Sequence, residues 1–261
     1  RGRRRVPSGA GRCYAVGDRC QFLAASRLNV RRGFKLGTVQ GVDVTADLSL
    51  LVMAALLTWS MYVDLDRAFP NSSSNLIFLA AAIGGLLFFG SVFVHELSHS
   101  LVALSRGLSV RRIRLFIFGG VSEIEEEAAL PADEVVVTVA GPAASIALGV
   151  VYLLAAWALS SPLAIAARIS LVLGFANISI GLFNLLPGLP LDGGRLLRAL
   201  IWRRSGDRVR ATRLAVATGR WLGALLMLSG LALMIALREI TALWLVAVGW
   251  FLFEAASASA I

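Results

Sequence analysis

The chain has 261 residues, of which 57% are hydrophobic and only 16% are charged. Soluble domains carry about 25% charged residues, so this composition excludes both an ordinary soluble globule and a disordered chain. Residues 1–45 hold ten Lys and Arg against two Asp and Glu, a net +8, which leaves +1 of the total +9 for residues 46–261. The body therefore has no basic face for a phosphate backbone, which excludes nucleic acid as a partner.

The first residues differ in composition from the rest of the chain. Residues 1–35 are rich in Arg and contain no long apolar run, so we predict a basic, disordered N-terminal tail. Six residues separate Cys13 from Cys20, a wider spacing than the usual two to four of zinc-binding pairs, and we interpret them as incidental thiols. Residues 36–255 are the predicted membrane core, followed by a short tail at 256–261.

Long apolar segments dominate the core. A helix needs about 20 apolar residues to cross a bilayer, and six segments meet or approach that length. They run from 46 to 63, 76 to 104, 135 to 159, 163 to 186, 221 to 237 and 240 to 253. The predicted fold is therefore an all-α polytopic membrane protein with about six transmembrane helices.

The cations between these segments predict their orientation. Twelve of the fifteen Lys and Arg residues after residue 45 fall in connections on one side of the membrane. The positive-inside rule makes that side cytoplasmic. Because the basic N-terminal tail falls on the same side and six crossings return the chain to it, we expect both termini in the cytoplasm.

Two stretches do not follow a helical pattern. Residues 110–126 are rich in β-prone Val, Ile and Phe, and Gly119-Gly120 predicts a turn within them. Residues 36–45 also lack helical periodicity. The sequence therefore predicts a small β-structured element near the cytoplasmic face.

The two histidines of the chain, His95 and His99, are four residues apart in the second apolar segment. Residues at this spacing share one face of a helix, so both imidazoles can point at one metal ion. Glu96 completes the H-E-x-x-H arrangement of zinc hydrolases, in which the glutamate is the general base. Such a motif can arise by accident, but ionisable residues inside an apolar helix are costly and indicate a functional site.

A catalytic zinc ion usually has three protein ligands, and the chain has no third histidine. A carboxylate or a distant cysteine must supply the third, and the best candidate is Asp192. The fourth segment runs toward the cytoplasm, so Asp192 arrives near the depth of His95. Prolines and glycines at 187–194 are predicted to break the helix there. The alternative interpretation is a simple helix exit into a loop.

Two further motifs accompany these residues. Asn184 is predicted to lie on the same unwound stretch as Asp192, where its amide can hold a substrate backbone or donate to a developing oxyanion. Alternatively, it caps a helix or satisfies freed backbone groups. Residues 141–145, GPAAS, are small, so we interpret them as packing against the helix that carries the histidines rather than as chemical groups.

These motifs together resemble the site-2 protease family of intramembrane zinc metalloproteases, over about residues 36–255. The strongest elements are HELSH at 95–99 and NLLPGLPLDGGR at 184–195, in the right order and on helices of the same orientation. The segments LFIFGGVSEIEEE at 115–127 and AGPAAS at 140–145 are also similar to family segments.

The resemblance implies a zinc-dependent endopeptidase that hydrolyses peptide bonds of membrane-spanning substrate segments within the bilayer, in regulated intramembrane proteolysis. One Zn²⁺ per chain would be held by His95, His99 and Asp192, with Glu96 as the catalytic base and Asn184 as a substrate-positioning residue. The β-structured element would engage the extended substrate by strand addition.

The implied partners are a membrane-embedded protein substrate and the lipid bilayer, in a bacterial cell membrane. Two alternatives stay open at this stage. One is a membrane transporter or channel, because broken helices and intramembrane carboxylates also suit ion pathways. The other is a catalytically silent homologue that acts as a scaffold. The sequence leaves the oligomeric state open.

Overall fold

The computed structural model describes residues 33–116, 119–124, 128–160, 163–238 and 240–259. Residues 1–32 of the predicted tail, with Cys13 and Cys20, lie outside the described residues, whereas the prediction of disorder was wrong for residues 33–35, which begin a β-strand. Seven α-helices follow one another in the described ranges: α1 (Ser49–Ala68), α2 (Ser74–Ser105), α3 (Pro131–Leu159), α4 (Ala164–Asn184), α5 (Asp192–Ser205), α6 (Arg208–Leu237) and α7 (Leu243–Ala258), the last preceded by a 3₁₀ turn at Ile240–Ala242.

Six helices are long and apolar enough to cross a bilayer, α7 together with its 3₁₀ turn. This confirms the predicted fold class, and the protein is a multi-pass membrane protein. Several bounds differ from the prediction: α1 covers Ser49–Ala68 rather than residues 46 to 63, and α3 begins at Pro131 rather than at residue 135. Helix α6 begins at Arg208 rather than near residue 221, and α7 continues past residue 255 to Ala258. The arginines between residues 208 and 220 precede the apolar run of α6 but belong to the helix, because Arg is a good helix former.

Helix α5 occupies a stretch that the sequence analysis assigned to a loop. It is a 14-residue helix with an acidic first turn at Asp192 and basic residues Arg203 and Arg204 in its last turn. Both charges are placed favourably along the helix dipole. Gly206, in the left-handed conformation, ends the helix with φ 69°.

A four-stranded sheet confirms the predicted β-structured element. Its strands are β1 (Gly33–Val39), β2 (Val42–Asp47), β3 (Val110–Phe116) and β4 (Gly119–Ile124), in the spatial order β1-β2-β3-β4. Strand β2 runs parallel to β3, and β3 runs antiparallel to β4. The predicted turn at Gly119-Gly120 was wrong, because Gly119 pairs with Phe116 and Gly120 with Leu115 inside the ladder.

The reason for glycine at position 120 is the close approach of α2. A Cβ atom there would lie 2.3 Å from Cγ of Glu96. The inner side chains Val42, Ile113 and Leu115 pack with apolar residues that include Leu97 of α2. The sheet therefore lies against the half of α2 that carries the two histidines.

Asp47 connects the sheet to the first transmembrane helix. The Ser49 backbone N–H donates to Asp47 Oδ1 at 2.9 Å, and Arg114 Nη2 on β3 donates to Oδ2 at 3.0 Å. These hydrogen bonds, with that from Ser49 the largest cause, lower the pKa of the Asp47 carboxyl to about 2. The carboxyl therefore stays ionised and keeps both connections over the whole neutral pH range.

Helix α3 is the central helix around the histidines, since it contacts α2, α4 and α5. Its contact with α4 is close at Gly149 and Gly174, where an added Cβ atom would lie 2.9 Å and 3.1 Å from the backbone oxygen of the other residue. An ion pair joins α1 to α4, with Arg168 Nη2 and Nε 2.6 Å and 2.9 Å from the two carboxylate oxygens of Asp64.

Candidate metal centre

Three side chains with metal-binding atoms meet at one buried point. His95 and His99 lie on successive turns of α2, and Asp192 is the first residue of α5. The Nε2 atoms of the two histidines are 3.3 Å apart, and they lie 3.3 Å and 3.2 Å from Asp192 Oδ2. The exposed fractions of the three residues are 5%, 3% and 9%, so bulk water reaches none of them freely.

These separations fit a zinc ion. Bonds of about 2.0–2.1 Å in tetrahedral geometry place neighbouring ligand atoms roughly 3.3 Å from each other. Two imidazoles and one carboxylate are also a ligand set of catalytic zinc sites, which keep a fourth position open. The structure therefore brings together the three residues that the sequence analysis proposed as ligands, at distances that a single ion can bridge.

Helix α3 holds the outer nitrogen of each imidazole. His99 Nδ1 donates to the backbone carbonyl of Val137 at 2.8 Å, and His95 Nδ1 lies 2.9 Å from Ser145 Oγ. Because a carbonyl can only accept, His99 carries its proton on Nδ1 and leaves the Nε2 lone pair for a metal. The Ser145 hydroxyl can accept a hydrogen bond from His95 Nδ1 in the same way.

Between these two contacts, α3 presents Gly141 to the imidazoles. A Cβ atom at this position would lie 2.2 Å from His99 Nε2 and 2.8 Å from His95 Nε2. Within the small residues at 141–145, the structure confirms the packing against the histidine helix for Gly141 and Ser145, whereas Ala143 is exposed. Gly141 contacts the imidazole rings themselves.

Asp192 follows a compact turn between α4 and α5. The prediction that glycines break the helix here was wrong for Gly193 and Gly194, which lie in the first turn of α5. Their role is close packing, since a Cβ atom on Gly193 would lie 2.3 Å from the carbonyl oxygen of Leu185. A Cβ atom on Gly194 would lie 2.2 Å from the carbonyl carbon of Gly188. The turn is thus folded onto the helix that it precedes.

Glu96 is buried and contacts the sheet. Its Oε2 accepts a hydrogen bond from the Ser122 hydroxyl on β4 at 3.0 Å. The same hydroxyl lies 3.1 Å from the Glu96 backbone carbonyl and 3.1 Å from the hydroxyl of Ser100. Strand β4 therefore fixes the orientation of the carboxylate that the motif assigns to proton transfer.

Asn184 is the last residue of α4 rather than part of an unwound stretch. Its Nδ2 donates to the backbone carbonyl of Ile180 at 3.0 Å, and the side chain is half-buried. This contact matches the alternative in which the amide satisfies a backbone group at a helix end. The substrate-positioning role of Asn184 stays a prediction.

Sequence reasoning missed the residues that orient the ligands and the carboxylate. Ser145 belongs to the GPAAS stretch, which was interpreted as packing, and Ser122 follows the glycines of β4. Neither serine stands at a spacing from the histidines or Glu96 that would indicate a hydrogen bond to them. Val137 acts through its backbone carbonyl, which no side-chain pattern can indicate. These partners are apparent only once α3 and β4 are placed against α2.

Comparison with known proteins identifies the family. The family described as Peptidase family M50 matches residues 83–169 and 155–228. A protein provisionally named zinc metalloprotease Rip3, from Mycobacterium tuberculosis, is 39% identical over 229 residues, which cover 87% of this chain and 58% of Rip3. A protein of Synechocystis, provisionally named zinc metalloprotease sll0528, is 35% identical over 231 residues, covering 88% of this chain and 60% of that protein.

This chain thus spans about 60% of the length of both relatives. Among solved structures, the site-2 protease from Methanocaldococcus jannaschii matches with a TM-score of 0.59 and 25% sequence identity, over 88% of this chain and 95% of that one. The family match covers more than half of the chain and includes His95, Glu96, His99 and Asp192. The chain therefore belongs to peptidase family M50, the family of the site-2 proteases, as the sequence motifs indicated.

Proposed function

We propose that this protein is a zinc-dependent endopeptidase that hydrolyses peptide bonds of membrane-spanning substrate segments within the bilayer. The observation that carries the proposal is the convergence of His95, His99 and Asp192 on one buried point of an apolar helix. Glu96 lies between the two histidines in sequence. The zinc metalloprotease names of the relatives support the same chemistry.

Each residue has a defined task in this proposal. Nε2 of His95, Nε2 of His99 and Oδ2 of Asp192 would hold the zinc. Zinc in such a site would supply Lewis acidity, which lowers the pKa of water to about 7. Glu96 accepts a proton from the attacking water and delivers it to the amine that leaves the cleaved bond. The hydrogen bond from Ser122 to Oε2 holds the carboxylate in place for this transfer.

The substrate must present an extended backbone, since a helical substrate hides its carbonyls in its own hydrogen bonds. We assign Asn184 to the binding of this backbone. One of the two Nδ2 hydrogens bonds to the Ile180 carbonyl, which orients the amide so that its Oδ1 would accept from a substrate N–H. The partners in this proposal are a membrane-embedded protein and the lipid bilayer of a bacterial cell, in regulated intramembrane proteolysis. The basic N-terminal tail and both termini would lie in the cytoplasm.

The metal content of the purified, detergent-solubilised protein tests the proposal without a known substrate. We expect about one zinc per chain in the wild type and its loss in His99→Ala and Asp192→Ala, because each variant removes one of three ligands. Asp64→Asn is the matched control, since this carboxylate lies in a membrane helix but pairs with Arg168. Zinc absent from folded wild type contradicts the proposal, and zinc retained in Asp192→Ala means that another group is the third ligand.

Ser122→Ala tests the role of β4 in holding the catalytic carboxylate. A hydrogen bond to a charged group contributes about 1.5–3 kcal/mol, so we expect a reduction of about tenfold or more in kcat. The zinc content should not change, because Ser122 does not contact a ligand. Ser105→Ala is the control, since within the described part of the chain that hydroxyl donates only to a carbonyl of its own helix. An unchanged kcat in Ser122→Ala would exclude the positioning role.

A further inference from the structure

A buried ion pair ties the helix that orients both imidazoles to the helix that carries Asp192. Glu134 lies in the first turn of α3, three residues before Val137, and is only 2% exposed. Its Oε1 accepts hydrogen bonds from Nε of Arg198, at 2.8 Å, and from Nη2 of the same guanidinium. Arg198 lies on α5, six residues after Asp192.

We propose that the Glu134–Arg198 ion pair positions Asp192 in the metal centre. The pair locks α5 against α3 and so sets the distance of Asp192 Oδ2 from the two Nε2 atoms. This inference rests on the proposed zinc site. It assigns to Glu134 and Arg198 a role in positioning a ligand, without contact with metal or substrate.

The geometry of α3 supports this role, because one helix then holds all three ligands. Val137 binds the outer nitrogen of His99, Ser145 binds that of His95, and Glu134 binds α5. An α-helix is stiff over one to two turns and rises about 1.5 Å per residue. Fixing Arg198 therefore fixes the direction of the first turn of α5, about 9 Å away, where Asp192 begins the helix.

The burial of the pair argues against a role in stability alone. The free energy needed to remove two charges from water offsets most of the free energy gained from their attraction. Buried ion pairs therefore contribute little to net stability. The second oxygen of Glu134, Oε2, is buried and has no hydrogen-bond partner among the described residues, so the carboxylate is only partly compensated. A specific relative placement of α3 and α5 is the gain that such a pair can offer.

The neighbouring residue provides a natural comparison. Asp133, next to Glu134 on α3, pairs with Arg106 at the end of α2, with Nη1 and Oδ1 3.3 Å apart. This pair lies near the surface, where ion pairs are screened and weak. It joins α3 to α2 rather than to α5. Removing it should therefore leave Asp192 where it is.

The test compares zinc affinity, measured by competition with a chelator, in variants of the 261-residue chain. The variants are Glu134→Gln, Arg198→Gln and the double variant, with Asp133→Asn and the exposed Arg204→Gln as controls. We expect zinc affinity to fall about ten- to a hundred-fold in both single variants, as for other partners that orient metal ligands. The double variant should bind no more weakly than the worse single variant, because both changes remove one contact. The controls should bind zinc as tightly as the wild type.

Two further measurements separate positioning from folding. Cobalt in place of zinc should give a changed ligand-field spectrum in the variants, since the spectrum reports the geometry of the ligands. The melting temperature of the metal-free protein reports stability independently. Where a single variant does not fold, the double variant carries the test, because it leaves no unpaired buried charge. Arg198→Lys, which keeps the charge but loses the forked donor, should bind zinc with intermediate affinity.

The outcomes distinguish this inference from the proposed function. A wild type that folds but binds no zinc overturns the proposed function and this inference together. A wild type and a double variant that bind zinc equally tightly, with the same cobalt spectrum, overturn this inference alone. A lower melting temperature in the double variant with unchanged zinc affinity would also overturn this inference alone, since the pair would then only stabilise the fold.

Discussion

Replacing Glu96 with Gln is expected to abolish peptide-bond hydrolysis while the protein keeps about one zinc per chain. Glutamine has nearly the shape of glutamate, and its side-chain oxygen can still accept the hydrogen bond from Ser122. It cannot accept and deliver a proton at neutral pH. General acid–base catalysis contributes about 10²–10⁴-fold, so kcat should fall by that factor. Cleavage of a transmembrane substrate in liposomes, with elemental analysis of the same sample, measures both quantities.

The control for this change is Glu254→Gln on α7, an exposed carboxylate that should affect neither quantity. Undiminished cleavage by Glu96→Gln would show that another group moves the proton. Loss of zinc from Glu96→Gln would mean that the carboxylate helps to hold the ligands. Zinc-loaded wild type that cleaves no membrane substrate would instead favour a catalytically silent homologue.

The candidate site was largely predictable because its chemistry lies in short sequence motifs. His95 and His99 lie on the same face because they are about one helical turn apart, in a segment whose local sequence predicts a helix. The need for a third ligand then directs attention to a carboxylate at the same membrane depth, and Asp192 meets that condition. The six apolar spans were predictable for a similar reason, since bilayer thickness sets their length.

The roles of the glycines could not be predicted in this way. A glycine in a sequence indicates either a turn or a close approach, and only the neighbouring element decides between the two. Gly120 and Gly193 were both interpreted as breaking or turning the chain, yet each lies inside a regular element. Their neighbours, Glu96 on α2 and Leu185 in the turn before α5, lie outside the elements of the two glycines, so no local pattern could identify them.

Helix α5 and the Glu134–Arg198 pair were not predicted, because recognising them requires both the charge pattern of the sequence and the tertiary contact between α3 and α5. The run of arginines after Asp192 indicates a cytoplasmic connection, and hydropathy alone cannot distinguish a polar helix from a loop. In the sequence, Glu134 is a typical acidic residue near the start of a helix, where its charge interacts favourably with the helix dipole. Its burial becomes visible only when α5 packs against α3.

Gly141→Ala is expected to remove zinc from the protein while leaving the fold intact. The new methyl group would lie 2.2 Å from His99 Nε2 and 2.8 Å from His95 Nε2. The atoms that it meets are the far ends of side chains, so the rings can move and the helix need not. The Nε2 atoms are, however, the proposed ligands, and the Val137 carbonyl and the Ser145 hydroxyl hold the other side of each ring. Movement of the rings therefore destroys the site.

Zinc content and the melting temperature of the metal-free protein measure the two halves of this prediction. Gly90→Ala is the matched control, because Gly90 is also a helical glycine of a membrane span and no atom of the described residues lies within 4 Å of its added Cβ atom. Alanine favours a helix over glycine by about 1 kcal/mol at either position, so propensity cannot explain a difference between the two variants. Zinc bound at wild-type affinity by Gly141→Ala would mean that the imidazoles do not bind metal through Nε2. Zinc lost from Gly141→Ala alone would tie the glycine of α3 to the geometry of the metal centre rather than to helix packing in general.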